Sequence, residues 1–170
     1  MKRLPLVLPP EPLEARVAFH PFLVGLRQHH IKLLADCAMA TKFVTDEYLF
    51  RQGEFANRFY LIEAGEVVLE SLDRNDEPVL VERVGAGKLI GWSWLFPPYV
   101  WHFNARATKP TKAIFFYGTI LREYCEREPS LGYELFKRMS VVMIERLQNA
   151  REQLLRAHGA RPAAAELAHR

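Results

Sequence analysis

With 170 residues, the chain is long enough to bury about two thirds of its unfolded surface without a metal or a disulfide, as one domain with short appendages. Its charged residues make up 25% of the chain and its net charge is only +3, dispersed along the sequence, which gives no electrostatic footprint for nucleic acid. Neither cysteine, Cys37 or Cys125, belongs to a C-x-x-C motif, so reduced thiols in a cytoplasmic protein are favoured over a disulfide.

The N-terminal stretch, residues 1–12, is rich in proline and predicts an extended arm. It begins basic and apolar, as a signal peptide does, but its prolines leave no continuous hydrophobic region. No apolar run in the chain approaches the ~20 residues that cross a bilayer, so we expect a cytoplasmic protein without membrane association.

The next part of the chain begins helical and then changes to β-type patterns. Residues 27–38 place Ile31, Leu34 and Ala38 on one face of a helix. From residue 41 to residue 117, short β-type segments alternate with glycine, proline and acidic turns, which is typical of an antiparallel jelly roll. The sequence therefore predicts a mainly β, α+β fold. We expect an antiparallel jelly-roll-like β-barrel with an N-terminal helix, a short helix within the roll, a hinge helix and a long C-terminal helix.

Residues 89–108, inside the β block, contain all three tryptophans of the chain. Gly91 permits backbone angles or close approaches that a side chain would forbid. Pro97-Pro98 must end any short helix that precedes it. Two interpretations stay open: the aromatic side chains plug one end of the roll, or they form the wall of a ligand pocket.

After residue 119 the pattern is helical, with a break before Pro129 that separates a hinge helix from a long helix at residues 130–158. Apolar and small residues on the long helix recur with alternating spacings of four and three, as in a coiled coil. This predicted dimer seam consists of Phe136, Ser140, Met143, Leu147, Ala150 and Leu154. We expect a homodimer through this helix, with a merely solvated helix as the alternative, and a flexible tail at residues 159–170.

The order of these elements, together with a set of spaced residues, resembles the cyclic nucleotide-binding domain family. Gly53, Tyr60, Ile62, Gly65 and Val67 match the family signature G-x6-Y-x-I-x2-G-x-V with its spacing intact. That family includes catabolite-activator-type regulators. The resemblance implies that residues 13–158 form one such domain, including the long helix, and that the chain is a non-enzymatic regulatory or sensor module.

In that family, the segment equivalent to residues 89–107 is the phosphate-binding cassette. Backbone N–H groups at a short helix receive the cyclic phosphate, an arginine neutralises it, and a glutamate accepts a hydrogen bond from the ribose. Here the resemblance puts Trp92 on the glutamate, and Trp101 or His102 on the arginine. Arg106 matches an outward family position and is not expected to bind phosphate. Because both ionic contacts are missing, we expect weak or no binding of cyclic AMP and cyclic GMP.

The candidate pocket residues come from this cassette. They are Ile90, Gly91, Trp92, Ser93, Trp94, Leu95, Tyr99, Trp101 and His102. We expect no obligate cofactor. The pocket can take a cyclic nucleotide weakly, take another small ligand of more apolar or aromatic character, or take none and serve assembly with a partner protein. A functional cyclic-AMP receptor that acts through a partner protein is the alternative.

Enzymatic and DNA-binding classes are disfavoured. A cupin-like metal enzyme needs two close histidines on one strand, and His102 is the only histidine within the β block. Ser93 has no adjacent base, so we expect neither catalytic nor metal-binding residues. The residues after the long helix are too few for a winged helix-turn-helix, so we expect no direct DNA binding.

Overall fold

The computed structural model describes residues 11–159. The predicted arm and tail therefore lie almost entirely outside the described residues. The chain divides into two units, Met1–Gly132 and Tyr133–Arg170.

Four α-helices and eight β-strands make up the described chain. The helices are α1 (Leu13–Phe19), α2 (Gln28–Asp36), α3 (Gly118–Arg127) and α4 (Pro129–Ala157). The strands are β1 (Ala38–Phe43), β2 (Tyr48–Phe50), β3 (Arg58–Ala64), β4 (Glu66–Leu72), β5 (Pro78–Gly85), β6 (Leu89–Ile90), β7 (Asn104–Ala107) and β8 (Thr111–Tyr117). One turn of 3-10 helix, Ser93–Leu95, lies between β6 and β7. The predicted hinge helix and long helix correspond to α3 and α4.

The strands form two antiparallel sheets of four strands each, in the orders β1-β8-β3-β6 and β2-β7-β4-β5. This confirms the predicted α+β class and its antiparallel roll. The sheets do not close into a barrel, however. The edge strands β2 and β6 have only three and two residues, so they offer few backbone N–H and C=O groups through which the two sheets could pair.

Strand β3 shows how the sequence sorts residues between the two faces of its sheet. Tyr60 and Ile62 point into the core between the sheets, together with Phe115 of β8. Phe59, one residue away, points to the opposite face and stacks on Phe116 with ring centroids 4.5 Å apart. This alternation follows from the two-residue period of a strand, and it defines an inner and an outer face for the first sheet.

A buried histidine joins the turn after α1 to this sheet. The His20 Nε2 atom lies 3.1 Å from the Ile62 carbonyl, and Nδ1 accepts a hydrogen bond from the backbone N–H of Phe22. That pattern fixes the neutral tautomer with its proton on Nε2. Burial lowers the pKa of His20, although the Ile62 carbonyl and the Glu63 carboxylate oppose part of this effect.

This pKa shift makes stability depend on pH in a defined direction. In the unfolded chain, His20 binds a proton below about pH 6.5, whereas in the folded protein it does so only at a lower pH. The free energy of unfolding must therefore fall as the pH is lowered from above about 6.5 toward the pKa of folded His20. Urea unfolding between pH 7.5 and pH 5 should show this loss in the wild type and a smaller loss in His20→Gln. An identical pH dependence in the two proteins would contradict the assignment.

Candidate functional site

The centre of the cassette is a close contact between a glycine and an indole. Gly91 follows β6 with φ +85°, a conformation that favours glycine. A Cβ atom placed on Gly91 would lie 2.9 Å from Cζ3 of the Trp101 ring. The indole therefore lies directly against the backbone of Gly91, and no other residue fits at that position without moving it.

Trp101 belongs to the core between the sheets. Its side chain is only 4% exposed and stacks on Phe50, with ring centroids 3.9 Å apart and the planes 14° from parallel. The backbone is anchored as well, because Trp101 donates to the Glu54 carbonyl and accepts from the Gly53 N–H. Trp101 is therefore a packed core residue in this structure.

Trp94 is fully buried on the other face of the first sheet. It stacks on Phe59, whose ring centroid is 5.6 Å away, and its Cβ lies 3.0 Å from a Cβ placed on Gly118. Within residues 11–159, the indole Nε1 of Trp94 has no hydrogen-bond partner. Two of the predicted pocket residues, Trp94 and Trp101, therefore pack on opposite faces of one sheet.

The remaining predicted pocket residues are spread between core and surface. Ile90 is buried in the core between the sheets, and Ser93 is buried at the start of the 3-10 helix. His102 is exposed. The residues at intermediate exposure are Gly91, Trp92, Leu95 and Tyr99. Whether any of them binds a ligand stays a prediction.

Arg122 of α3 connects the hinge helix to the cassette, a contact that the sequence did not indicate. Its Nη1 donates to the carbonyl oxygen of Trp94, and its guanidinium lies 4.6 Å from the centre of the Tyr99 ring. The 3-10 helix is thereby held to α3 through both a hydrogen bond and a cation–π contact. A shift of the cassette backbone would therefore act directly on α3.

Arg106 lies on the outer face of the second sheet, as its predicted outward position requires. Its guanidinium binds the Glu70 carboxylate through Nε and Nη2, at 3.2 and 2.6 Å, and binds Asp46 through Nη1 at 2.7 Å. These ion pairs, with Glu70 the larger influence, raise the pKa of Arg106 further above its ordinary value. The charge of Arg106 is thus committed to two carboxylates.

Arg58 is another residue that the sequence did not indicate. It begins β3 on the inner face, beside Tyr60, and its guanidinium lies 4.8 Å from the centre of the Phe115 ring. A single arginine at the start of a strand carries no pattern that distinguishes it from a solvated side chain. Only the pairing of β3 with β8 places it over an aromatic ring.

Between residues 11 and 159, no group of three or more His, Cys, Asp or Glu side chains is placed to hold a metal ion. None of the helices in the same range combines the length and the apolar character that a membrane span needs.

A family model for the cyclic nucleotide-binding domain matches residues 40–128, which is just over half of the chain. The chain belongs to the cyclic nucleotide-binding domain family. Comparison with curated proteins returned no match.

Solved structures of this family share the fold. A Geobacter metallireducens GS-15 protein proposed to bind cyclic nucleotides is 27% identical, with a TM-score of 0.71, over 81% of this chain and 99% of that one. A cyclic nucleotide-binding domain from Methylobacillus flagellatus KT is 18% identical, with a TM-score of 0.74, over 85% and 83% of the two chains. The regulatory subunit of a cAMP-independent protein kinase A from Trypanosoma cruzi, bound to guanosine, is 24% identical, with a TM-score of 0.54, over 69% and 46%.

If Trp101 is a core plug, its removal must cost stability as a large core truncation does. Trp101→Ala should lower the free energy of unfolding by about 3–5 kcal/mol, because it removes a buried indole and leaves Phe50 and Gly91 facing a cavity. Trp92→Ala, which truncates the half-buried indole of the same cassette, should cost clearly less. Urea unfolding of the two variants gives the comparison, and equal losses would contradict the different roles.

Proposed function

We propose that this chain is a non-enzymatic regulatory module of the cyclic nucleotide-binding domain family whose cassette binds cyclic AMP and cyclic GMP weakly or not at all. The observation that carries this proposal is the packing of Trp101 against Gly91. In the family, that glycine and the arginine position serve the cyclic phosphate, and here Trp101, one of the two candidates for the arginine position, packs its indole against the glycine backbone.

The charge of the cassette supports the proposal. Residues 89–103 contain no lysine or arginine, and Arg106, the next cation, is paired with Glu70 and Asp46. A partly desolvated phosphate without its cationic partner loses several kcal/mol. At about 1.4 kcal/mol per tenfold change, that loss moves a micromolar affinity toward the millimolar range.

The packing of the cassette adds a steric cost. A phosphate that reached the Gly91 backbone would have to displace the Trp101 indole from its stack with Phe50. Removing a buried aromatic ring from a packed core costs several kcal/mol, a cost that phosphate binding would have to exceed. The guanosine-bound structure from Trypanosoma cruzi is consistent with a fold that accommodates ligands other than cyclic nucleotides.

Calorimetric titration of cyclic AMP and cyclic GMP into the protein should show no binding tighter than about 100 μM. In Trp92→Glu combined with Trp101→Arg, which restores both ionic side chains, affinity for cyclic AMP should rise, provided that thermal unfolding shows a folded variant. The alternative, a cyclic-AMP receptor acting through a partner protein, predicts low-micromolar binding in the wild type and little change in the double variant. That pair of results would refute the proposal.

We further propose that the module acts as a homodimer through α4. Large apolar side chains of the predicted seam are exposed, among them Phe136 at 55%, Leu147 at 67% and Leu154 at 62%. The Ser140 hydroxyl donates to the Phe136 carbonyl of its own helix, so it can be buried in an interface without losing its partner. A second copy of the same helix would cover this stripe in the manner of a coiled coil.

The dimer proposal is tested by adding a charge to the seam. Leu147→Glu should convert a dimer into a monomer in sedimentation velocity experiments, because an unpaired carboxylate would be buried between two helices. Asn149→Glu adds the same charge on the exposed, opposite side of the helix and should leave the dimer intact. A wild-type protein that sediments as a monomer at micromolar concentration would overturn the proposal.

A further inference from the structure

The inner face of the first sheet ends in an arginine. β3 pairs with β8 so that Arg58 lies beside Tyr117 and Tyr60 lies beside Phe115. Because Tyr60 and Phe115 belong to the core between the sheets, the two-residue period of the strand places Arg58 on the same face, at the end of that core. A positive charge therefore borders the interior of the roll.

The guanidinium of Arg58 lies among aromatic rings. It is 4.8 Å from the centre of the Phe115 ring and 6.0 Å from that of Tyr117, and its Nε donates to the Asn57 side-chain oxygen at 3.2 Å. The same group influences Tyr60: burial raises the pKa of that phenol, and the Arg58 charge opposes part of the increase. The guanidinium thus bonds the Asn57 oxygen and also the Tyr60 phenol, which leaves part of its five-donor fork for a further acceptor.

Arg58 differs from the other arginines in the described strands because it forms no ion pair with a carboxylate. Arg83 pairs with Glu66 at 3.1 Å, and Arg106 pairs with Glu70 and Asp46. Among the described residues, no carboxylate lies within the 4.0 Å ion-pair distance of Arg58, although its side chain is half-buried. A partly desolvated cation in an aromatic environment favours an anionic partner, because its charge has lost part of its hydration.

The neighbouring residues restrict which anion fits. Trp101 fills the space against the Gly91 backbone, so the region around Arg58 does not continue into a binding site for a sugar phosphate. The side chains around the guanidinium are the rings of Phe115, Tyr117 and Tyr60, which favour a flat apolar body. A guanidinium fork matches the planar, two-oxygen geometry of a carboxylate. A small aromatic carboxylate combines both properties.

We propose that Arg58 is the anion-binding residue of this module, and that a small aromatic carboxylate binds beside it at the end of the core. The inference deepens the proposed function: it rests on a cassette that no longer binds cyclic phosphate, and it moves the positive charge of the site from the cassette to the first residue of β3. The carboxylate accepts hydrogen bonds from the Arg58 guanidinium, and its ring contacts Tyr117, the half-buried aromatic side chain of this end.

Benzoate is the probe that tests the site, observed through the side-chain Nε–H signal of Arg58 in nitrogen–proton correlation spectra. Benzoate should shift this signal in a saturable way below about 10 mM. Benzamide, a neutral compound of the same shape, should not. Arg58→Gln should weaken benzoate binding at least about tenfold, measured by calorimetry, because it removes a charge-assisted pair of hydrogen bonds.

Two variants control for indirect effects. Arg51→Gln removes an exposed arginine that covers the Tyr48 ring at 3.8 Å outside this region, and it should leave benzoate affinity unchanged. Arg58→Lys keeps the charge without the planar fork and should bind benzoate more weakly than the wild type. If Arg58→Gln does not fold, this variant tests whether the guanidinium binds benzoate.

The inference is overturned if the wild type shows no saturable response to benzoate, if Arg58→Gln binds it as tightly, or if benzamide binds equally well. Inorganic phosphate that matches benzoate with the same dependence on Arg58 would overturn the aromatic carboxylate as the ligand class. Tight binding of cyclic AMP in a parallel titration would refute the proposed function instead, so the two failures are distinguishable.

Discussion

The proposed function depends on the packing of one indole against one glycine. Gly91 has a positive φ and carries no side chain, so its backbone is open to close approach. In this chain the group that approaches is the Trp101 ring, which stacks on Phe50 and fills the core between the two sheets. This contact, which stabilises the fold, also covers the backbone of Gly91.

The rest of the site follows from this packing. Because Trp101 lies between the sheets while Trp94 packs on the outer face, the two indoles serve different parts of the molecule. The outer one belongs to the junction with α3, where Arg122 binds the Trp94 carbonyl and covers Tyr99. Cassette and hinge helix therefore remain mechanically connected. Positive charge on the inner face remains at Arg58, which has no carboxylate partner among the described residues.

Much of the fold was accessible from local sequence patterns, and much of the site was not. Gly65 was recognised from the spacing of the family signature. The structure explains why the position needs glycine, because a Cβ there would lie 2.5 Å from the Thr111 hydroxyl. The succession of short strands followed from β-type segments separated by glycine, proline and acidic turns. The cassette gave no such period, since its 3-10 turn and the positive φ of Tyr99 interrupt the strand pattern. The partners of Arg58 come from β8, far away in the chain, and no local pattern encodes them.

The most direct test of the central claim is a crystal structure of the protein grown or soaked with cyclic AMP at about 10 mM, well above a millimolar dissociation constant. The Trp101 ring should stay stacked on Phe50 and in contact with the Gly91 backbone, with no cyclic phosphate at that glycine. Electron density for a cyclic phosphate bound to the Gly91 amide, with the Trp101 ring displaced from the core, would contradict it.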